Sequence, residues 1–286
     1  MDIFEDYYEI LQVHPSAEPE IIEAAYRKLA QKYHPDVSKN PADLEKMKRI
    51  NIAHGILANP EHRRQYHIKW LQRKGRTATE FLIQLRLQGE AKQYAKALIL
   101  DVARKFKVQG VTQTRPVPHI TLYGPSIISD IEMVVSKVIA VGRKYTLVPF
   151  KMKGFGYFDK PGKVIYLAIT PSAVLERLRQ ELYQMLKTVS VPQPSDMEMP
   201  FKFHSTIAFK DIDEKFDKLW RYIKSKREPD ICQDLLRITI LDKRKRMILY
   251  EYDLVLGLLL SRNEALSRGV RQETISKHRT LRGLQF

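Results

Sequence analysis

The chain has 286 residues, 44% of them hydrophobic and 29% charged, which is room for two domains and ordinary for a globular protein. Its single cysteine, Cys232, excludes an internal disulfide framework and every multi-cysteine zinc site, so a reducing cytoplasm is the expected compartment. The net charge of +16 favours polyanionic partners, and residues 1–75 hold 12 Lys and Arg against 11 Asp and Glu, so almost the whole excess lies beyond them.

The opening "MDIFEDYYEI" is acidic where a secretory signal would be basic, and no apolar core follows it. The longest apolar run, "LVLGLLL" (254–260), falls far short of the ~20 residues a membrane helix needs. No membrane partner is expected. "PEIIEAAYRKLAQKYHPD" predicts a helix with Ile22, Tyr26, Leu29 and Tyr33 along one apolar face. Pro19 suits the first helical position, leaving Glu18 as an unfavoured N-cap. Arg27, Lys28, Gln31 and Lys32 line the opposite face, and His34-Pro35 stops the helix because proline disfavours helical angles before it. A second helix runs from about Ala42 to Ala58, and "NPEHRRQYH" opens a short basic one.

Residues 5–70, with "DYYEILQVHPSAEPEIIEAAYRKLAQKYHPD" and "INIAHGILANPEHRRQYH", resemble a J domain. The resemblance implies that His34, Pro35 and Asp36 contact an Hsp70-type chaperone and stimulate its ATPase. Arg27, Lys28 and Lys32 would then steer the encounter toward an acidic surface. Two positions depart from the pattern: His54 stands where an aromatic is usual, and "YH" closes the segment where "YD" is usual. The expected boundaries are 1–71 for this domain and 72–80 for a linker, followed by a second domain over 81–260 and a basic tail over 261–286.

From Phe81 onward strands and helices alternate. "FLIQLRL" reads as a strand, "GEAKQYAKALILDVARKF" as a helix, "PVPHITLYG" as a strand and "ISDIEMVVSKVIAVG" as a helix. "KYTLVPFKMKGFGYF" and "KVIYLAIT" form a hairpin across "DKPG". A helix ("PSAVLERLRQELYQMLKTV"), a strand ("MPFKFHSTIAFK") and a helix ("DEKFDKLWRYIKSK") follow, then a second hairpin turning at "DKRK". This predicts an α+β domain with strands enough for two sheets. The tail from Ser261 either tracks a polyanion backbone or covers the domain edge as a solvated helix.

Two of these strands carry the same pattern. Residues two apart in a strand share a face, so His119 and Thr121 point one way while Ile120 and Leu122 point into a core. His204 and Thr206 repeat the arrangement 85 residues later, which suggests an internal duplication. His14 and His278 also have Ser or Thr two residues on, but neither lies in an apolar-backed strand. An imidazole titrates near neutral pH. Two facing one phosphate can therefore act as base and acid, with the threonine hydroxyls bonding its oxygens. The chain has no HExxH motif or recognisable carboxylate cluster, and the two motifs offer too few ligands for a metal, so no cofactor is expected.

"HITL" and "HSTI", with "FLIQLRL" and "GFGYFDKPGKVIYLAI", resemble the two-histidine (2H) phosphoesterases, which include the LigT-like 2′-5′ RNA ligases and cyclic phosphodiesterases. The resemblance covers about residues 79–256 and implies a bilobal, pseudo-twofold α+β fold with its site between the lobes. It makes His119 and His204 the catalytic pair and Thr121 and Thr206 the phosphate-binding residues. Tyr123, Phe155 and Phe158 are candidates to stack on a base or ribose, and Arg115 and Lys202 to meet phosphate. The expected activity is metal-independent cleavage of a 2′,3′-cyclic phosphate or 2′-5′ linkage in RNA or a nucleotide. The alternative is a co-chaperone adaptor whose second domain binds RNA or nucleotide without catalysis. Nothing in the sequence specifies an oligomeric state.

Overall fold

The N-terminal domain is built from four helices: α1 (Tyr7–Ile10), α2 (Pro19–Tyr33), α3 (Pro41–Leu57) and α4 (Pro60–Arg73). The structure is a computed structural model that describes residues 4–15, 17–35, 40–74, 78–108, 110, 116–159 and 162–283. The Asp6 side chain caps α1 by accepting from the Glu9 amide, and Asn40 caps α3 by accepting from Ala42. Pro19 opens α2, Glu18 makes no side-chain cap bond, and His34 leaves the helix in an extended conformation. Tyr8, Leu11, Ile22, Leu29, Ile50, Ala53, Leu57 and Tyr66 form the core.

His54 fills its aromatic position as an aromatic would. Its ring stacks on Tyr26 at 3.8 Å between centroids, and its Nε2 lies 2.8 Å from Glu23 Oε2, so packing between α2 and α3 is kept. The last helix is longer than the short one expected, continuing to Arg73. Trp70 meets Tyr8 edge-on and donates its indole N–H to Asp6 Oδ2 at 2.7 Å, giving the extra turns a partner.

The second domain comprises β1 (Thr79–Arg86), α5 (Gly89–Phe106), β2 (His119–Ile128), α6 (Ile131–Gly142), β3 (Val148–Phe158), β4 (Val164–Pro171), α7 (Ala173–Leu186), α8 (Pro194–Met197) and β5 (His204–Phe209). A 3₁₀ turn, Asp213–Lys215, precedes α9 (Phe216–Lys224), β6 (Asp230–Leu235), β7 (Arg237–Asp242), β8 (Met247–Asp253), β9 (Leu258–Ser261), α10 (Arg262–Leu266) and α11 (Arg268–Leu281). These strands form two antiparallel sheets, ordered β2-β1-β7-β8-β9 and β5-β4-β3-β6. Helix α5 packs on β5 and β6, α6 on β7 and β8, and α7 against β2, β3, β4 and α6. One continuous apolar core runs behind both sheets, from Phe81, Ile83 and Leu85 to Leu167, Ile207 and Leu219.

The predicted hairpins are both present, β3 with β4 and β7 with β8. Two strands are additional. "DICQDL" forms β6 on the edge of the second sheet, and only Leu236 separates it from β7 in the first. "LLLS" forms β9 on the edge of the first sheet, paired with β8. Beyond Ser261 the chain folds into α10 and α11, with Ala265 and Thr274 buried. Among the described residues no helix is long and apolar enough to cross a membrane.

Candidate active site

The two His-x-Thr strands are the edge strands β2 and β5, and these lie against each other where the sheets meet. In β2, Ile120 and Leu122 are buried in the core while His119 and Thr121 are half-buried on the other face. In β5, Ser205 and Ile207 are buried and His204 and Thr206 half-buried. The alternation of the pleat thus produces the pair twice. Each histidine is held in the same way: His119 Nδ1 lies 2.8 Å from the Val117 carbonyl oxygen, and His204 Nδ1 lies 2.8 Å from that of Lys202. A carbonyl oxygen only accepts, so each Nδ1 carries the proton and each Nε2 keeps the lone pair. Neither threonine hydroxyl has a hydrogen-bond partner among the described residues.

Burial lowers the pKa of both imidazoles, and the carbonyl bonds oppose that shift. His119 is lowered further by the charge on His204 and by Arg86, which stands opposite it in register on β1. His204 is lowered further by Lys202. A charge on one histidine therefore disfavours a charge on the other, as in two groups that share a proton.

Phe158 and Lys202 are beside this pair. The Phe158 ring lies 4.7 Å from Tyr166 and 5.0 Å from His204, and Tyr166 lies 5.3 Å from His204. The exposed Lys202 ammonium stands 5.5 Å from the centroids of both Phe158 and Tyr166. Tyr166 is an unanticipated member, in register with Thr206 on one side and Gly156 on the other. A Cβ at Gly156 would come within 2.5 Å of the Tyr166 ring, so glycine is what lets that ring lie across the strand. Only strand pairing, which a single sequence does not reveal, would have pointed to it.

Two expected stacking residues are elsewhere. Phe155 pairs with Leu167 and packs on the core, because pairing is regular from Phe155 to Phe158 and residues three apart in a strand face opposite sides. Tyr123 is fully buried, with its hydroxyl 2.9 Å from Ser190 Oγ. The Ser190–Asp196 segment covers that end of β2: Ser126 Oγ donates to the Val191 carbonyl, and the Gly124 amide to Asp196. Neither Phe155 nor Tyr123 can stack on a ligand beside the histidines. Arg115 and Asp36 lie outside the described residues. Arg27, Lys28, Lys32, His34 and Pro35 are all exposed on α2 and just past its end, remote in sequence from the histidine pair.

A polar network extends from Arg86 across the first sheet. Arg86 Nη1 donates to Glu251 Oε1 at 3.1 Å, and Thr239 Oγ1 donates to the same oxygen at 2.7 Å. Arg237 reaches Glu251 at 3.3 Å and Asp253 at 2.8 Å, and also bonds Thr274 Oγ1 of α11 at 2.7 Å. From α11, His278 and Arg282 bond Asp234 of β6. Burial alone would raise the Asp234 pKa, but Arg282 and His278 outweigh it and hold the carboxyl below its usual range. So α11 ties the first sheet to the second, mainly through polar contacts, with Val270 packed on Ile248, Leu260 and Ala265. His278 belongs to this tie. Among the described residues no three metal-ligating side chains converge.

A small helical domain followed by a two-sheet α+β domain with duplicated His-x-Thr edge strands defines a two-histidine phosphoesterase-like architecture with a J domain ahead of it. Residues 6–67 match the DnaJ domain family, and residues 94–246 match the 2′-5′ RNA ligase superfamily. The second match covers more than half of the chain, and the chain belongs to that superfamily.

Among curated proteins, the chaperone protein DnaJ of Carboxydothermus hydrogenoformans is 58% identical over 62 residues, 21% of this chain and 16% of that protein. A curved DNA-binding protein of Pseudomonas syringae pv. tomato is 47% identical over 74 residues, 26% of this chain and 24% of that one. The matched part is thus a quarter or less of either relative's length. Among solved structures, TT0787 of Thermus thermophilus superposes with a TM-score of 0.42 at 16% identity, over 61% of this chain and 97% of that one.

Proposed function

We propose that the second domain is a metal-independent phosphodiesterase acting on RNA or nucleotide phosphodiesters, a 2′,3′-cyclic phosphate or a 2′-5′ linkage, and that the J domain presents it to an Hsp70-type chaperone in the cytoplasm. The observation that carries this reading is the mirrored hydrogen bond of His119 and His204. Each leaves Nε2 free on the Thr-bearing face, so one imidazole can take a proton from water or a ribose hydroxyl. The other then gives a proton to the leaving oxygen. Thr121 and Thr206 supply hydroxyls for the non-bridging oxygens and the charge that builds on them.

The electrostatics fit a shared-proton mechanism. With both pKa values lowered, the free site favours two neutral imidazoles. A phosphodiester anion between them offsets the repulsion and restores one proton, which makes the acid only when substrate is present. Half-buried Phe158 flanks His204 with the Lys202 ammonium near its ring, a platform for a nucleobase beside a phosphate. The fully buried Tyr166 backs the two rings from within. In the helical domain, exposed His34 and Pro35 with the basic face of Arg27, Lys28 and Lys32 support the chaperone contact, and Asp36 is proposed with them on sequence alone.

The test is turnover of 2′,3′-cyclic nucleotides and short 2′-5′ and 3′-5′ oligoribonucleotides in EDTA, by the wild type and by His119→Ala/His204→Ala. Turnover lost in the double variant supports the enzyme. Silence across the panel with RNA still bound would replace it by the adaptor.

A further inference from the structure

Three guanidinium groups cluster on the His119 side of the cleft, and only two carboxylates answer them among the described residues. Arg86 stands opposite His119 and bonds Glu251. Arg237 bonds both Glu251 and Asp253. Glu251 also accepts from Thr239, and Asp253 from Thr274 and the amides of Val255 and Leu256, so both carboxylates are fully engaged.

The third is Arg271 of α11. It is half-buried, and its Nη2 donates to the side-chain oxygen of Gln88, a neutral amide. No carboxylate pairs with it among the described residues. Burial, Arg86 and Arg237 disfavour its charge, and Glu251, already bonded to the other two guanidiniums, offsets them only in part. An unpaired, half-buried guanidinium next to two others is unfavourable unless an anion joins it. Gln88 lies two residues beyond Arg86, and its partner Arg271 comes from the helix that ties the two sheets together.

We propose that Arg271, with Gln88 and Arg86, forms a second anion subsite beside His119 that takes the phosphate adjacent to the one held between the histidines. This rests on the reading of the histidine cleft as a phosphodiester site and adds a substrate class to it. The preferred ligand carries two phosphates around one nucleoside, as the end of an oligonucleotide does and a mononucleotide does not. An arginine suits the task because its planar fork can grip two phosphate oxygens at once.

The experiment is calorimetric binding of adenosine 3′-monophosphate and adenosine 3′,5′-bisphosphate to the full chain, with cyclic-nucleotide turnover measured on the same preparation. The wild type should prefer the bisphosphate by about tenfold or more, the scale of a charge-assisted hydrogen-bond pair. Arg271→Gln should bring that ratio close to one. Gln88→Glu should do the same while keeping Arg271 anchored, since it supplies the missing carboxylate. A wild type without the preference, or a ratio unchanged in both variants, overturns the subsite. Preference without turnover leaves the subsite standing and removes the proposed reaction. Turnover without preference does the reverse.

Discussion

The Phe158 ring stands edge-on to His204, with 83° between the planes and 5.0 Å between centroids. The contact fixes one side of the imidazole while the Lys202 carbonyl fixes its Nδ1. It also leaves the ring beside the place where a nucleotide would meet Nε2. Phe158→Ala should raise KM for a cyclic nucleotide about tenfold, the scale of one base–aromatic stack, with a smaller change in kcat. Steady-state kinetics with purine and pyrimidine substrates would check this. An effect confined to kcat would assign Phe158 to positioning the imidazole instead.

The histidine substitutions should not add. If His119 and His204 share one proton-transfer cycle, either single alanine variant should lose roughly 10²–10⁴ in kcat, and the double variant little more. Independent losses that multiply would mean that the two rings act in separate steps.

The pH profile has a definite sign. Both imidazoles are lowered from the ordinary value, so the basic form of the free enzyme persists further into acid. The acid limb of kcat/KM should therefore have its half-point below about pH 6.5, the value of an unperturbed histidine. Lys202→Gln removes one of the charges that lowers His204, and the limb should move toward neutral pH. A half-point above that of a free histidine would contradict the burial of the pair.

His67 makes the J domain sensitive to acid independently of catalysis. It is buried against Tyr8, whose hydroxyl lies 3.0 Å from its Nδ1, and burial pushes its pKa down from 6.5 to about 4. Between those values the unfolded chain holds more protons than the native one, so stability falls as pH drops from 6.5 and levels off below 4. The loss is on the order of 3 kcal/mol. Hydrogen exchange at the α1 and α4 amides should show protection falling over that window, and protection that stays flat would refute it.

His34→Gln should abolish stimulation of an Hsp70-type ATPase while leaving phosphodiester turnover intact. The side chain is exposed at the end of α2, so the fold should change by no more than about 0.5 kcal/mol. A variant that still stimulates the chaperone would remove the J domain's proposed role.

Much of this was legible because strand alternation is strict. His119 and Thr121 could be placed on one face, away from Ile120 and Leu122, from spacing alone, and so could His204 and Thr206. What stayed hidden depended on contacts distant in sequence. Tyr123 shares the nominal face of His119, but a register shift against β1 pairs it with Ile83 and turns it into the core beside Phe81, where Ser190 meets its hydroxyl. Phe155, by contrast, was readable: it lies three residues from Phe158 in a regularly paired stretch, so alternation alone puts the two on opposite faces. Strand β6 is short and only half apolar, "DICQDL", and its apolar residues do not alternate regularly. A helix over the domain edge is one of the two readings the tail allows, but its anchoring by Arg237, Asp234 and Thr274 depends on contacts distant in sequence.

The junction at Leu236 bears on how a ligand reaches the histidines. One buried residue joins β6 of the second sheet to β7 of the first, and its carbonyl accepts from the Leu254 amide. With α11 strapped across the same neighbourhood, the lobes have no slack chain there on which to swing apart. If the histidine pair is a phosphodiester site, this junction favours ligands that reach β2 and β5 from outside over ligands that need the lobes to part. A strand end can do that, whereas the middle of a paired duplex cannot. On the proposed phosphodiester reading, such a chain would favour the ends of its substrate over its interior.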